Sequence, residues 1–217
     1  MARNKYPEQT LEKIIDTSTK LFIEKGYEQT SIQDILDALN LSKGGLYHHF
    51  KSKEEILEVV MQKRAQSISE MLDALIRNTQ AKNAKEKLQK ILHYLLTDKE
   101  THMLDIILVS QVKNPYFVVN GLQNCVTKDA PTICKLIEEG IEDGSLQTPQ
   151  PKLCAEIFLL LLNFWINPTL FSRDFTETRN RLDYLKSLMC LAGLDIIDND
   201  FIESLMEGYE KMGAFLR

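Results

Sequence analysis

Between Leu41 and Lys53 the chain offers Ser42, Lys43, Tyr47, His48, His49, Lys51, Ser52 and Lys53, and no Asp or Glu. Hydroxyl, ammonium, phenol and imidazole groups without a carboxylate among them suit an anionic partner. The same groups can reach phosphate oxygens and base edges of a duplex. Leu46 and Phe50 stand at i and i+4 and turn inward on a helix, which leaves Ser42, Lys43, Gly44, Tyr47 and His48 on its outer surface. Gly44 and Gly45 fall in the first turn, where each weakens a helix by ~1 kcal/mol relative to alanine. They make sense where a backbone must approach another surface closely.

The neighbouring elements must hold that surface out. Ile32, Ile35, Leu36 and Leu39 follow i, i+3, i+4, i+7, the apolar face of a short helix. Thr30 or Ser31 can cap its start, with Gln33 or Asp34 three residues on. Asn40 and Leu41 leave room only for a turn between two helices at a steep angle. Ser42 is the next N-cap, with Leu41 and Leu46 placed as a hydrophobic staple, and Ser52 with Glu55 caps a further helix. Upstream, Leu11, Ile14, Ile15, Leu21 and Phe22 form the core stripe of a helix over residues 8–25. Gly26 is its C′ stop and Tyr27 its hydrophobic contact. A helix-turn-helix that reads DNA is the expected outcome; a hairpin that only packs is the blander one.

The stretch LEKIIDTSTKLFIEKGYEQTSIQDILDALNLSKGGLYHHFKSKEEIL resembles the N-terminal domain of the TetR (tetracycline repressor) family. The family often has Ala-Gly where this chain has Leu39-Asn40, and Tyr or Phe near His48-His49. The resemblance implies a ligand-responsive transcriptional regulator, a repressor as in much of the family, acting as a homodimer on a palindromic double-stranded operator. DNA contacts fall to Lys43, Gly44, Tyr47 and His48, and phosphate contacts to Thr30, Ser42 and Lys53. It also implies a cavity for a small, partly apolar effector in the second domain, lined by some of Met103, Tyr116, Phe117, Phe158, Trp165 and Phe171. At helical spacing such aromatic residues are more often core than pocket.

The chain has 217 residues and a net charge of -5. Residues 1–53 carry eight Lys and Arg against seven Asp and Glu, so the basic footprint is local and modest, made of Arg3, Lys5, Lys43, Lys51 and Lys53. Binding should therefore rely on few phosphates. Cys125, Cys134, Cys154 and Cys190 show no C-x-x-C spacing and read as small buried apolar side chains, with thiol sensing as the alternative. A cytoplasmic location without membrane contact is expected, since no apolar run could span a bilayer.

Beyond residue 53 the pattern stays helical. A long helix runs over 52–78, then a polar loop over 77–86. Helices follow over 87–96, 100–111 and 118–144, the last with a break near Pro131. Residues 151–167 are apolar nearly all round, which calls for a second buried side and hence a dimer interface. Helices over 174–194 and 198–215 complete the chain. Leu160, Phe164, Leu185 and Leu188 are the interface candidates. His48-His49 is not a metal pair, and His93 and His102 lack ligand partners. No phosphate-binding glycine loop or nucleophile elbow occurs, so neither an enzyme nor a cofactor is expected. The expected fold is all-α: a three-helix helix-turn-helix domain over 1–53 and a larger helical ligand-binding and dimerisation domain over 54–217. The alternative is a helical interaction protein that has lost DNA binding.

Overall fold

The computed structural model describes residues 7–98 and 115–215, and every described element is helical. Helix α1 (Pro7–Glu24) buries Ile14, Ile15, Ser18 and Phe22 on one face. Gly26 ends it at φ +89°, and Tyr27 turns back to meet Phe22 edge-on, ring centroids 5.1 Å apart. Helix α2 (Ile32–Leu39) starts at a capping box made by Ser31 and Asp34, so Ser31 and not Thr30 is its cap. Ile35 and Leu36 are its buried pair. Asn40 closes α2 in the left-handed region at φ 51°, a conformation that asparagine tolerates better than most residues after glycine. The N–H of Leu41 then returns to the Leu36 carbonyl at 3.0 Å. Helix α3 (Lys43–Tyr47) is capped by Ser42, and α4 (Lys53–Asn78) follows after one turn.

The compact units divide inside α4, as residues 1–71 and 72–217. The expected boundary at 53 falls at the start of α4. Ile56, Leu57 and Val60 are buried in the first unit, while Leu72 belongs to the core of the second.

In the second unit, α5 (Ala84–Thr97) begins three residues before the expected start at 87, is capped by Asn83, and buries Leu88, Ile91 and Leu92. Helix α6 (Pro115–Asn124) runs through a π-turn (Cys125–Asp129) into α7 (Ala130–Glu142). The break expected near Pro131 does not occur. Proline lacks an N–H and crowds the carbonyl four residues back, and the widened turn accommodates both. Helix α8 (Pro151–Leu160) likewise continues through a π-turn (Leu161–Trp165), followed by α9 (Pro168–Phe171), α10 (Phe175–Leu191) and α11 (Asn199–Lys211). Phe158, Ile166, Leu182, Leu185, Leu136 and Ile137 lie at the centre of this unit's core. Gly193, at φ +79°, sits where a Cβ would stand 2.8 Å from the Thr148 nitrogen, so the chain needs glycine there twice over. The helix expected over 100–111 lies outside the described residues.

Candidate nucleic-acid interface

Helix α3 positions its outer residues through Leu46 and Phe50, which are buried at 0% and 2% exposure and fix the helix on the first unit's core. Ser42, Lys43, Gly44, Tyr47 and His48 all lie on the exposed side, and the Tyr47 ring is 49% exposed. The Ser42 hydroxyl accepts the N–H of Gly45 at 3.2 Å, which leaves its own proton free to donate outward. Lys43 is exposed and carries no ion pair among the described residues. A Cβ at Gly44 would touch nothing within 4 Å, and one at Gly45 would meet Ser42 Oγ at an ordinary 3.4 Å. Neither glycine has positive φ. The fold of this unit therefore gives no internal reason for glycine at Gly44, and a close approach by an external surface supplies one.

Two expected phosphate contacts are differently employed. Thr30 is 1% exposed, and its hydroxyl donates to the carbonyls of Gly26 at 2.8 Å and Leu21 at 3.2 Å, tying the end of α1 to the start of α2. Both carbonyls already accept a backbone N–H, from Thr30 and Lys25, and the hydroxyl adds a second donor to each. Lys53 places its ammonium on the carbonyls of Tyr27 and Thr30, at 2.8 and 2.9 Å, and over the Tyr27 ring at 4.2 Å. It clasps the α1–α2 loop. Burial, with Glu54 beside it, holds the Tyr27 phenol well above its usual range, and its hydroxyl donates to Glu54 at 3.3 Å.

The start of α2 is also satisfied from within. The Asp34 carboxylate accepts the N–H of Ser31 at 2.7 Å and pairs with Lys25 at 2.7 Å. Lys25 and then Ser31 hold this carboxyl well below the usual range. A feature that sequence spacing obscured is the pairing of His48 with His49. Consecutive helical side chains diverge by about 100°, yet these rings stack with centroids 5.2 Å apart and planes 19° apart.

The second-unit candidates separate. Met103 lies outside the described residues, as does the side chain of Tyr116. Phe117 is half-buried. Phe158 is fully buried in the core. Trp165 is half-buried, with the Arg181 guanidinium 5.6 Å from its ring. Phe171 is 54% exposed under the Arg173 guanidinium at 4.3 Å. An open groove of about 500 Å³ lies instead among Thr79, Gln80, Asn83, Lys87, Glu139 and Glu142, and Phe117, Phe158, Trp165 and Phe171 do not line it. Its polar side chains gave no spacing signal.

Of the interface candidates, Leu160, Phe164 and Leu188 are half-buried, whereas Leu185 is 0% exposed and belongs to its own unit's core. Leu153 and Ile157 on α8, with Phe175, Tyr184 and Leu191 on α10, are the exposed large apolar residues of these helices. Cys125, Cys134 and Cys154 are buried, and burial pushes the Cys125 thiol up to about 11; Cys190 is exposed, against expectation. Among the described residues no cluster could hold a metal ion and no helix is long and apolar enough to cross a membrane.

Residues 14–60 match the family described as bacterial regulatory proteins, tetR family. The chain is 24% identical over 189 residues to the biofilm operon icaADBC HTH-type negative transcriptional regulator IcaR of Staphylococcus epidermidis, covering 82% of this chain and 96% of that protein. It is 49% identical to IcaR of Staphylococcus aureus over 47 residues, 22% of this chain and 25% of that one. In three dimensions it resembles a transcriptional regulator from Cytophaga hutchinsonii at a TM-score of 0.62 and 19% identity, over 94% of this chain and 95% of the other. The helix-turn-helix of the first unit thus matches the tetR family of bacterial regulatory proteins, and over most of its length the chain is similar to a transcriptional regulator and shares its all-helical fold with others.

Proposed function

We propose that the protein is a repressor that binds a palindromic operator as a homodimer and is released by a small, partly apolar effector. The observation that carries this reading is the exposed, carboxylate-free face of α3, with a glycine at Gly44 that the fold does not require. The negative regulation named for the Staphylococcus epidermidis relative supports repression.

The dimer reading rests on Leu153 and Ile157, 51% and 48% exposed, and on Tyr184 and Leu191, 62% and 88% exposed. They follow helical spacing along α8 and α10, with Leu160, Phe164 and Leu188 half-buried in the same helices. Two such helices from each of two copies make a four-helix interface, and a stable pair should bury ~1,600 Å² in total. A two-fold pair presents two copies of α3 to half-sites about 34 Å apart.

Release follows from the continuity of α4, which belongs to the first unit at its start and to the second at its end. An effector that shifts the end of α4 alters the presentation of α3, and a tenfold loss of operator affinity needs only ~1.4 kcal/mol of coupling. The deciding experiment is selection of duplexes from a random library by the full-length protein, followed by native mass measurement of the complex. Enrichment of a palindrome bound by two copies is the expected result. No enrichment would favour the helical interaction protein, and binding by single copies would refute the dimer.

A further inference from the structure

The second unit contains two π-turns, and only one has a local cause. At Cys125–Asp129 the N–H of Ala130 reaches back to the Cys125 carbonyl, and Pro131 follows, whose missing N–H and bulky ring the wide turn admits. At Leu161–Trp165 the N–H of Ile166 reaches the Leu161 carbonyl at 2.8 Å, yet the turn reads Leu-Leu-Asn-Phe-Trp, without proline or glycine. Pro168 starts a separate helix after Asn167, whose ψ of 111° has already left the helical region, so its ring does not crowd α8. No local feature of α8 calls for the wide turn. It is held from outside, and each of its last three residues is held by a different group. The Asn163 side chain is hydrogen-bonded to the Cys125 thiol. The Phe164 ring lies on Gly121 of α6, where a Cβ would stand 3.2 Å from its Cζ. Trp165 meets the Tyr184 ring at 6.3 Å and the Arg181 guanidinium at 5.6 Å, and the Arg173 guanidinium donates to its carbonyl. Gly121 and Cys125 are i and i+4, neighbours on one helical face.

We propose that the Leu161–Trp165 turn is a two-position element, wide while Gly121, Cys125 and α10 hold it and rewound as α-helix when the α6 side lets go. It carries effector binding to the face on which the second copy docks. This rests on the dimer reading above. π-turns are rare, and inside α-helices they sit mostly at functional sites. Rewinding passes the surplus residue on toward Asn167 and rotates Phe164 and Trp165 by as much as ~100°. The Trp165 ring then leaves Tyr184 and Arg181, and its carbonyl leaves Arg173. Phe164 turns off the face that it shares with Leu160, four residues before it. An effector seated against α6 has only to shift Gly121 or Cys125 to start the change. Effector and second copy then bias the same equilibrium in opposite directions, which is what coupling between two sites requires.

The test follows the full-length protein by the emission of its single tryptophan, Trp165, and by sedimentation. Asn163→Ala removes one hold on the turn, and Gly121→Val drives the Phe164 ring away. Each should shift Trp165 emission to the red and weaken the dimer by roughly tenfold or more, with the helical dichroism unchanged. Deleting Leu161 removes the surplus residue and leaves α-helical winding with the downstream faces nearly in place. On that background Asn163→Ala should alter neither emission nor dimer, because no turn remains to rewind. A loss of the same size on both backgrounds would make Asn163 a merely structural residue and overturn the proposal. Wild-type emission and a wild-type dimer constant in both Asn163→Ala and Gly121→Val would overturn it too, with the dimer reading intact. A wild-type protein that sediments as a monomer at micromolar concentration overturns the dimer reading itself, and this proposal with it.

Discussion

Replacing Lys53 by Met separates two roles for one ammonium group. The methionine keeps most of the aliphatic stem and removes the charge that bonds the Tyr27 and Thr30 carbonyls at 2.8 and 2.9 Å. Hydrogen bonds from a charged donor contribute about 1.5–3 kcal/mol each, and solvent at a half-exposed site brings the two together to about 2 kcal/mol. The stack on Tyr27 adds about 0.5 kcal/mol. A unit of this size, residues 1–71, loses about 4–8 °C per kcal/mol, so its melting point should fall by roughly 10 °C or more. The single tryptophan, Trp165, lies in the second unit, so its fluorescence follows that unit while far-UV circular dichroism follows both. Lys53→Met should lower an early dichroism transition and leave the Trp165 transition in place. An unchanged melting curve, with the salt slope of DNA binding reduced by about one charge, would show that the ammonium serves phosphate and not the α1–α2 loop.

Gly44→Ala should stabilise α3 by up to ~1 kcal/mol in thermal melts and still weaken DNA binding, because its methyl meets nothing in the free protein; equal affinity would remove the close-approach argument. Lys43→Ala and Tyr47→Ala should each weaken operator binding in gel shifts while sedimentation shows an unchanged assembly. Glutamates at Leu153 and Ile157 should yield folded monomers, whereas Leu185→Ala should cost about 2–5 kcal/mol in urea unfolding, since that side chain is wholly buried. Asp34 has a depressed carboxyl, so its stabilisation is present above its unfolded value near pH 4 and is lost as pH falls through the folded value. Asp34→Asn should flatten the acid limb of the first unit's stability against pH.

Periodicity and caps carried most of the fold. Ser42, Gly26, Asn40 and the Leu46–Phe50 pair stand as their spacing implied, because each acts within one turn of its own helix. Thr30 and Lys53 went astray for a common reason. Their partners are carbonyls at the end of α1 and in the α1–α2 loop, up to 9 and 26 residues away, and no local pattern announces a backbone acceptor. Ile157 on α8 and Leu185 on α10 show the same limit. In helices apolar on nearly every side, spacing says that something must be covered and not which residues the chain covers itself. The polar groove and the histidine stack are products of tertiary placement.

The π-turn at Leu161–Trp165 sets a register that counts residues. There the N–H of Ile166 reaches back five positions to Leu161 at 2.8 Å, one more than an α-helix uses. That surplus residue changes which side chains after it line up with Leu153 and Ile157. Were the turn to rewind as α-helix without losing that residue, everything downstream would rotate by about 100°. Phe164 and Trp165 would swing away from their present face, and Arg173 would lose the Trp165 carbonyl that it now holds. Loss of one residue from the turn itself would instead leave the downstream faces nearly in place. A sister protein one residue shorter at this point should therefore present the same apolar faces beyond it.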